Sequence, residues 1–238
     1  STDSTQSKEI AVIGGGAVGS MTALHLARAK HEVLLIDPLR TTNFNQAERL
    51  NGSTASLGVL MGNIFRRSSG RSWRLRRRSM ELWRQWIRIL NTPESPLKLE
   101  SPLVQLASSE SEASFMAQLS KERKELGVEL LTKTKTLPHQ RLWPKNDYGG
   151  LISYEDGRIN PLHLQQCLLN ALQKQDVNRL YDEVILIERG SNKTKNKWHI
   201  HLQNGESLIK EVIVICAAIK SQVLVKPLGH SLPISPVL

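Results

Sequence analysis

The chain has 238 residues, of which 39% are hydrophobic, and it carries a formal net charge of +10 at pH 7. This length allows one large domain or two small ones, and no segment is long and apolar enough to predict a membrane span. The two cysteines, Cys167 and Cys216, provide neither a disulfide framework nor metal-ligand spacing, and they favour a reducing, cytoplasmic location.

The first predicted elements are a strand, a glycine-rich turn and a helix, after a polar tail over residues 1–7 that we expect to be disordered. The apolar residues 10–13 run into a G-x-G-x-x-G pattern formed by Gly14, Gly16 and Gly19. In dinucleotide-binding βαβ units the first glycine permits the tight turn, the second admits the pyrophosphate and the third lets the helix pack on the sheet. The free N–H groups and the positive dipole end of the helix then face the phosphates.

The residues after the turn support this interpretation. Residues 32–36 are predicted to form a buried parallel strand that ends at Asp37, about 20 residues past the glycines. A carboxylate at that position accepts hydrogen bonds from the ribose of an adenosine and disfavours a 2′-phosphate, so NADP is the least favoured ligand. A glycine turn that binds no nucleotide, with Asp37 merely solvated, is the alternative. The apolar stripe predicted for the helix consists of Met21, Leu24, Leu26 and Ala27.

Small residues dominate residues 52–62, which follow a polar loop over residues 40–51. A closely packed backbone of this kind lets main-chain N–H groups and hydroxyls reach a ligand. A flexible linker is the alternative for this segment.

Much of the positive charge is concentrated around a helix predicted to begin near Ser72. Its core stripe is predicted to consist of Trp73, Met80, Trp83, Trp86, Ile87 and Leu90. The arginines around it are Arg66, Arg67, Arg71, Arg74, Arg76, Arg77 and Arg78. We interpret them as a solvated basic face, ahead of a surface for an anionic ligand or partner; specific nucleic-acid binding is the least favoured alternative.

Residues 91–148 are predicted to form a separate lobe, because five prolines surround one helical stretch over residues 110–126. This segment contains no motif.

The histidines are scattered along the sequence, so no metal site is predicted. His199 and His201 are interpreted as the outer face of an amphipathic strand.

The next region for which the sequence predicts secondary structure begins after Gly149 and Gly150. Asn160 is predicted to cap a helix over residues 162–174, with Pro161 at its first position. Further along the chain the sequence predicts a strand over residues 183–187, a hairpin of residues 198–203 and 207–209 around the Asn204-Gly205 turn, and a buried strand over residues 211–216 that runs into Ala217 and Ala218.

The order of these parts resembles the D-amino-acid-oxidase-like, or glycine-oxidase-like, family of FAD-dependent oxidoreductases. The resemblance implies an α/β fold with a Rossmann-like, glutathione-reductase-like FAD-binding domain, in which a parallel sheet is joined by a β-meander, plus an incomplete α+β substrate lobe. The implied limits are residues 8–90 and 149–225 for the FAD-binding domain, and residues 91–148 and 226–238 for the partial lobe.

The same resemblance implies which residues contact the cofactor. The pyrophosphate would lie on the glycine turn, the ribose at Asp37, the adenine against the backbone at Val184, and the flavin side of the cofactor along residues 53–56. The complete implied set is Gly14, Gly15, Gly16, Ala17, Val18, Gly19, Asp37, Pro38, Ser53, Thr54, Ala55, Ser56, Val184, Ala217 and Ala218.

Two departures from the family are visible. Ala218 stands where the late strand of the family usually ends in a glycine. The chain also stops at Leu238, whereas members of the family continue through most of the substrate lobe, which predicts a truncated form. Because the carboxylate-binding residues of the family lie mostly beyond that point, no catalytic residue is assigned.

By resemblance, the expected activity is oxidation of an amino acid or related amine by hydride transfer from the amine-bearing carbon to flavin N5. The resemblance also implies dioxygen as one electron acceptor for the reduced flavin. It implies a homo-oligomer as one form in which the chain assembles. A NAD-linked dehydrogenase is one alternative, although it should continue with regular strand–helix alternation. A non-catalytic FAD-binding protein is the other.

Overall fold

The structure is a computed structural model that describes residues 6–40, 51–65, 69–132, 140–191 and 194–235. Arg66, Arg67, Leu238, most of the predicted tail and most of the polar loop therefore lie outside the described residues. The helices are α1 (Ala17–Arg28), α2 (Gly70–Leu90), α3 (Glu110–Glu122), α4 (Pro161–Lys174) and α5 (Ser221–Val225). The strands are β1 (Glu9–Ile13), β2 (Glu32–Ile36), β3 (Val59–Leu60), β4 (Leu103–Leu106), β5 (Val128–Leu131), β6 (Gly150–Ser153), β7 (Gly157–Arg158), β8 (Asn178–Leu180), β9 (Val184–Arg189), β10 (Trp198–Leu202), β11 (Ser207–Lys210) and β12 (Val212–Ile215).

The chain divides into two compact units. Unit 1 consists of residues 1–56 and 161–238, and unit 2 consists of residues 57–160. Residues 57–90 and 149–160, which the resemblance assigns to the FAD-binding domain, are thus grouped with unit 2 by packing. The predicted domain limits remain a prediction.

Unit 1 is built on a four-stranded parallel sheet with the order β12-β1-β2-β8. Strand β1 lies inside the sheet, and its residues 10–13 are buried because both of its faces are covered. The predicted parallel strand over residues 32–36 is confirmed as β2. Strand β12 is shorter than predicted and partly exposed, because it pairs only with β1 and lies at the edge of the sheet.

A three-stranded antiparallel meander, with the order β11-β10-β9, completes unit 1. The predicted hairpin is confirmed, and Gly205 in its turn has φ +91°, a left-handed conformation that glycine adopts without strain. Ile187, Ile200 and Leu202 from the meander share one core cluster with Ile36 of the parallel sheet. The predicted α/β fold with a parallel sheet and a meander is therefore confirmed.

Helices α1 and α4 pack against each other in unit 1. Helix α4 begins at Pro161, as predicted from the proline at the first helical position. The stripe predicted for α1 was only partly right: Leu24 is buried, whereas Met21, Leu26 and Ala27 are half-buried. The other buried residues of α1 are Gly19, Ser20 and Ala23, because the helix contacts α4 as well as the sheet.

Unit 2 contains an antiparallel sheet with the order β4-β6-β5, which α3 covers. The predicted helix over residues 110–126 ends at Glu122, and a short 3-10 turn follows it. The chain leaves the α-helix at Arg123, whose buried guanidinium donates to the carbonyls of Asn63 and Phe65. Burial lowers the pKa of this guanidinium, while Glu122 and Asp156 act in the opposite direction.

Helix α2 carries both the predicted apolar stripe and the arginine-rich face. Met80 and Leu90 are buried, and the remaining stripe residues, Trp73, Trp83, Trp86 and Ile87, are half-buried. The exposed arginines of this helix include Arg71, Arg74 and Arg78. Arg76 and Arg77 are half-buried instead, since the Arg76 guanidinium lies 3.5 Å from the centroid of the Phe65 ring and the Arg77 guanidinium lies 5.6 Å from that of the Trp73 ring. No helix in the described ranges has the length and apolarity that a membrane crossing requires.

Candidate functional site

The glycine-rich turn joins the end of β1 to α1 at the carboxyl end of the parallel sheet. The Gly14 N–H donates to the Ile36 carbonyl at 2.8 Å, and the Cys216 N–H donates to the Ile13 carbonyl at 2.7 Å. Gly14 has φ +104°, and a Cβ there would collide with the Cys216 carbonyl. Only glycine fits this position, because the backbone is left-handed and the neighbouring strand end is in contact with it.

The other two glycines of the pattern have different neighbours. A Cβ at Gly19 would collide with the Gly14 carbonyl, so this glycine is required for α1 to start so close to the turn. Among the described residues, a Cβ at Gly16 would meet the Ser53 side chain alone, with Oγ at 2.9 Å. Gly16 therefore faces a space that is bounded by a side chain rather than by the backbone of the sheet.

The amino terminus of α1 presents both paired and unpaired donors. The Gly15 N–H donates to Asp37 Oδ2 at 2.6 Å, and the Ala17 N–H donates to Ser53 Oγ at 2.8 Å. The N–H groups of Gly16 and Val18 have no acceptor among the described residues. No acidic residue lies in the first turn of the helix to offset its dipole, so this end suits an anion such as a phosphate.

Asp37 lies directly after β2, where it contacts the turn. Besides the bond from Gly15, its Oδ1 accepts the Leu39 N–H at 2.8 Å, and its own N–H donates to the Leu180 carbonyl at 3.0 Å. Each carboxylate oxygen can accept a second hydrogen bond, which leaves capacity for ribose hydroxyls. The next residue, Pro38, is exposed.

Of the four residues predicted in the 53–56 segment, one contacts the turn. Ser53 bonds the Ala17 N–H, whereas Thr54 is buried and its hydroxyl bonds Asn51 in its own loop. Ala55 and Ser56 are exposed, and the Ser56 hydroxyl donates to the Ser53 carbonyl at 2.8 Å. The structure thus brings Ser53 to the glycine turn and leaves the other three in a local turn of their own.

The remaining predicted residues lie at two places in unit 1. Ala217 follows the Cys216 carbonyl that borders Gly14, and Ala218 has φ +49°. This left-handed backbone is a physical reason for a glycine at the position, because the alanine Cβ is strained there. Val184 begins β9 and its side chain is buried in the core cluster, so only its backbone can face a ligand.

Sequence reasoning missed a buried glutamine beneath the turn. Gln165 on α4 donates from Nε2 to the Gly15 carbonyl at 2.7 Å and to the Ser20 hydroxyl at 3.1 Å. A single glutamine in an amphipathic helix is usually solvent-exposed, so the sequence contains no signal that could have revealed this contact.

Burial raises the pKa of the Cys167 and Cys216 thiols, while a hydrogen bond with Thr22 acts in the opposite direction on Cys216, and a raised pKa opposes formation of the thiolate. Neither is activated as a nucleophile. Within the described ranges, no three His, Cys, Asp or Glu side chains are placed to hold a metal ion.

Comparison with protein families matches residues 9–238 to the model described as DAO, FAD dependent oxidoreductase. No curated protein sequence matches the chain.

Several solved structures share the fold. Glycine oxidase from Geobacillus kaustophilus superposes with a TM-score of 0.78 at 23% identity, covering 96% of this chain and 60% of that one. L-Amino acid deaminase from Proteus myxofaciens gives 0.69 at 17% identity, with coverages of 95% and 49%. Iminodiacetate oxidase from Chelativorans sp. BNC1 gives 0.68 at 17% identity, with coverages of 92% and 58%. At these identities the likeness shows the fold alone, and the chain spans about half to three fifths of the length of these proteins.

Proposed function

The chain belongs to the DAO family of FAD-dependent oxidoreductases, and from this premise we propose that it takes part in the oxidation of an amino acid or a related amine. The cofactor of the family is FAD, which contradicts the NAD-linked alternative. The observation that carries the proposal is the turn at the start of α1, where the Gly16 and Val18 N–H groups have no acceptor in the described ranges and the neighbouring Gly15 N–H donates to the Asp37 carboxylate. The glycine oxidase, L-amino acid deaminase and iminodiacetate oxidase structures that share the fold support the substrate class.

The residues present fit FAD by their chemistry. The Gly16 and Val18 N–H groups and the α1 dipole would hold the pyrophosphate, and the spare acceptor capacity of Asp37 would hold the ribose. The Ser53 hydroxyl, which the Ala17 N–H reaches at 2.8 Å, would lie beside the pyrophosphate on its flavin side. The backbone at Val184 would contact the adenine.

When bound, FAD would supply the chemistry, as the acceptor at N5 of a hydride from the amine-bearing carbon of the substrate, and dioxygen is the acceptor we propose for reoxidation. The residues of this chain bind and orient the cofactor. We assign none of them to the substrate carboxylate or to a proton transfer.

The experiment is to purify the protein, measure its flavin absorbance, and then add amines anaerobically. Glycine, D- and L-amino acids and iminodiacetate form the substrate panel, with peroxide formation in air as a second readout. We expect bound flavin, and bleaching of that flavin by at least one of these amines would support the proposed oxidation. A protein without flavin after incubation with FAD would contradict the proposed site, and bound flavin that no amine bleaches would favour the non-catalytic alternative.

A further inference from the structure

Gln165 is a buried polar side chain that reaches the glycine-rich turn from a distant part of the sequence. Only 3% of its surface is exposed, and its Nε2 donates to the Gly15 carbonyl at 2.7 Å. The Ser20 hydroxyl, which is also buried, donates to the same carbonyl at 3.0 Å. Two donors therefore converge on one carbonyl oxygen of the turn.

The backbone dihedral angles on either side of the Gly15–Gly16 peptide do little to fix the direction in which its carbonyl points. Neither residue has a Cβ to restrict these dihedral angles. A trans peptide is planar and has its C=O and N–H groups on opposite sides. Holding the Gly15 carbonyl against Gln165 and Ser20 therefore turns the Gly16 N–H away from these two side chains, and this N–H has no acceptor among the described residues.

The position of Gln165 also lowers the stability of the folded protein. Its Oε1 atom is buried and has no hydrogen-bond partner within the described part of the chain. An unsatisfied buried acceptor lowers stability relative to an apolar side chain of the same shape. The glutamine is therefore better explained by what its Nε2 group holds in place than by a contribution to folding.

We propose that Gln165 is a positioning residue of the cofactor site: by holding the Gly15 carbonyl it presents the Gly16 N–H to the pyrophosphate of FAD. The proposal rests on the proposed placement of FAD at the start of α1. Gln165 acts through the Gly15–Gly16 peptide rather than by contact with the cofactor.

The test is the variant Gln165→Met, which keeps the length of the side chain and removes both the donor and the unsatisfied acceptor. We expect the Kd for FAD to rise about tenfold, because a charge-assisted hydrogen bond to the pyrophosphate is weakened. ADP, which contains the pyrophosphate, should lose affinity to the same extent, whereas the Kd for adenosine should not change. Because the variant also removes the unsatisfied acceptor, the melting temperature of the unliganded protein should not fall by more than about 2 °C.

The matched control is Gln166→Met, at the next residue of the same helix. The Gln166 amide donates to Asn170 Oδ1, on its own helix, at 3.1 Å. This variant should leave the Kd values for FAD, ADP and adenosine unchanged.

A second readout does not depend on FAD. In ¹⁵N-labelled unliganded protein, the Gly16 amide should give one sharp resonance in the parent and a broadened or doubled one in Gln165→Met. Unchanged FAD and ADP affinity would overturn the proposal, as would a lower melting temperature with equal loss for adenosine. If the parent binds neither FAD nor ADP, the proposed site fails, and the Gly16 resonance still decides whether Gln165 orients the peptide.

Discussion

Ala218 is held in a left-handed backbone conformation, with φ +49°, at the position where the resemblance to the family implies a glycine. An alanine in this region costs roughly 1–2 kcal/mol relative to its ordinary conformations. Replacing it by glycine removes this strain. The greater conformational entropy of glycine, however, lowers the free energy of the unfolded chain by about 0.5–1 kcal/mol. The variant Ala218→Gly should therefore be more stable than the parent, by roughly 0.5–1 kcal/mol.

The adjacent residue provides a matched control. Ala217 has φ −85° and ψ 18°, which alanine adopts without strain. Ala217→Gly therefore incurs the entropy cost without the relief, and it also removes a methyl group that packs against the core cluster of unit 1, so it should destabilise the protein by at least about 0.5–1 kcal/mol. The two neighbouring substitutions are thus expected to change stability in opposite directions.

The assay is thermal unfolding, followed at the transition that shifts when FAD is added, since that transition reports on the cofactor-binding unit. For a protein of this size, Ala218→Gly should raise its midpoint by roughly 1–4 °C and Ala217→Gly should lower it by a similar amount. Equal destabilisation by both variants would refute the reasoning, because it would show that Ala218 is not strained.

Other expectations concern the same turn and unit 2. Gly16→Val should abolish FAD binding, because its Cβ would lie 2.9 Å from Ser53 Oγ and its methyl groups would occupy the space of the pyrophosphate; retention of FAD equal to the parent would contradict the site. Asp37→Ala should weaken FAD binding by roughly 1–3 kcal/mol, measured by titration, and an unchanged Kd would remove this residue from the site. Asp156→Asn should lower the free energy of unfolding by about 1–3 kcal/mol in urea titrations, since this fully buried carboxylate accepts four backbone N–H contacts of 2.8–3.0 Å from residues 62–64. Any binding of duplex DNA by the arginine-rich residues 66–78 should be weak, indifferent to sequence and steeply lost as salt rises; tight, sequence-selective binding at physiological salt would contradict this.

The sequence by itself determined the elements whose signals are local. An apolar run that breaks into glycines predicts the strand, turn and helix at the amino terminus, because the glycine pattern permits a backbone that few other sequences adopt. Asn160 and Pro161 locate the start of α4, and the Asn204-Gly205 pair locates the hairpin, for the same reason: each pattern acts on neighbouring dihedral angles. The order of these elements was sufficient to identify the family.

Only the tertiary structure decided which side chains meet at the turn. Residues 53–56 are equivalent in the sequence pattern, yet only Ser53 reaches the α1 amino terminus. Gln165 lies 150 positions from Gly15 and has no local signature, because its hydrogen bond depends on how α4 packs against α1. The left-handed conformation of Ala218, three residues past the end of β12, is likewise a property that only the structure shows. Local dihedral preferences can be inferred from neighbouring residues, whereas contacts between distant residues exist only once the helices and the sheet have packed together.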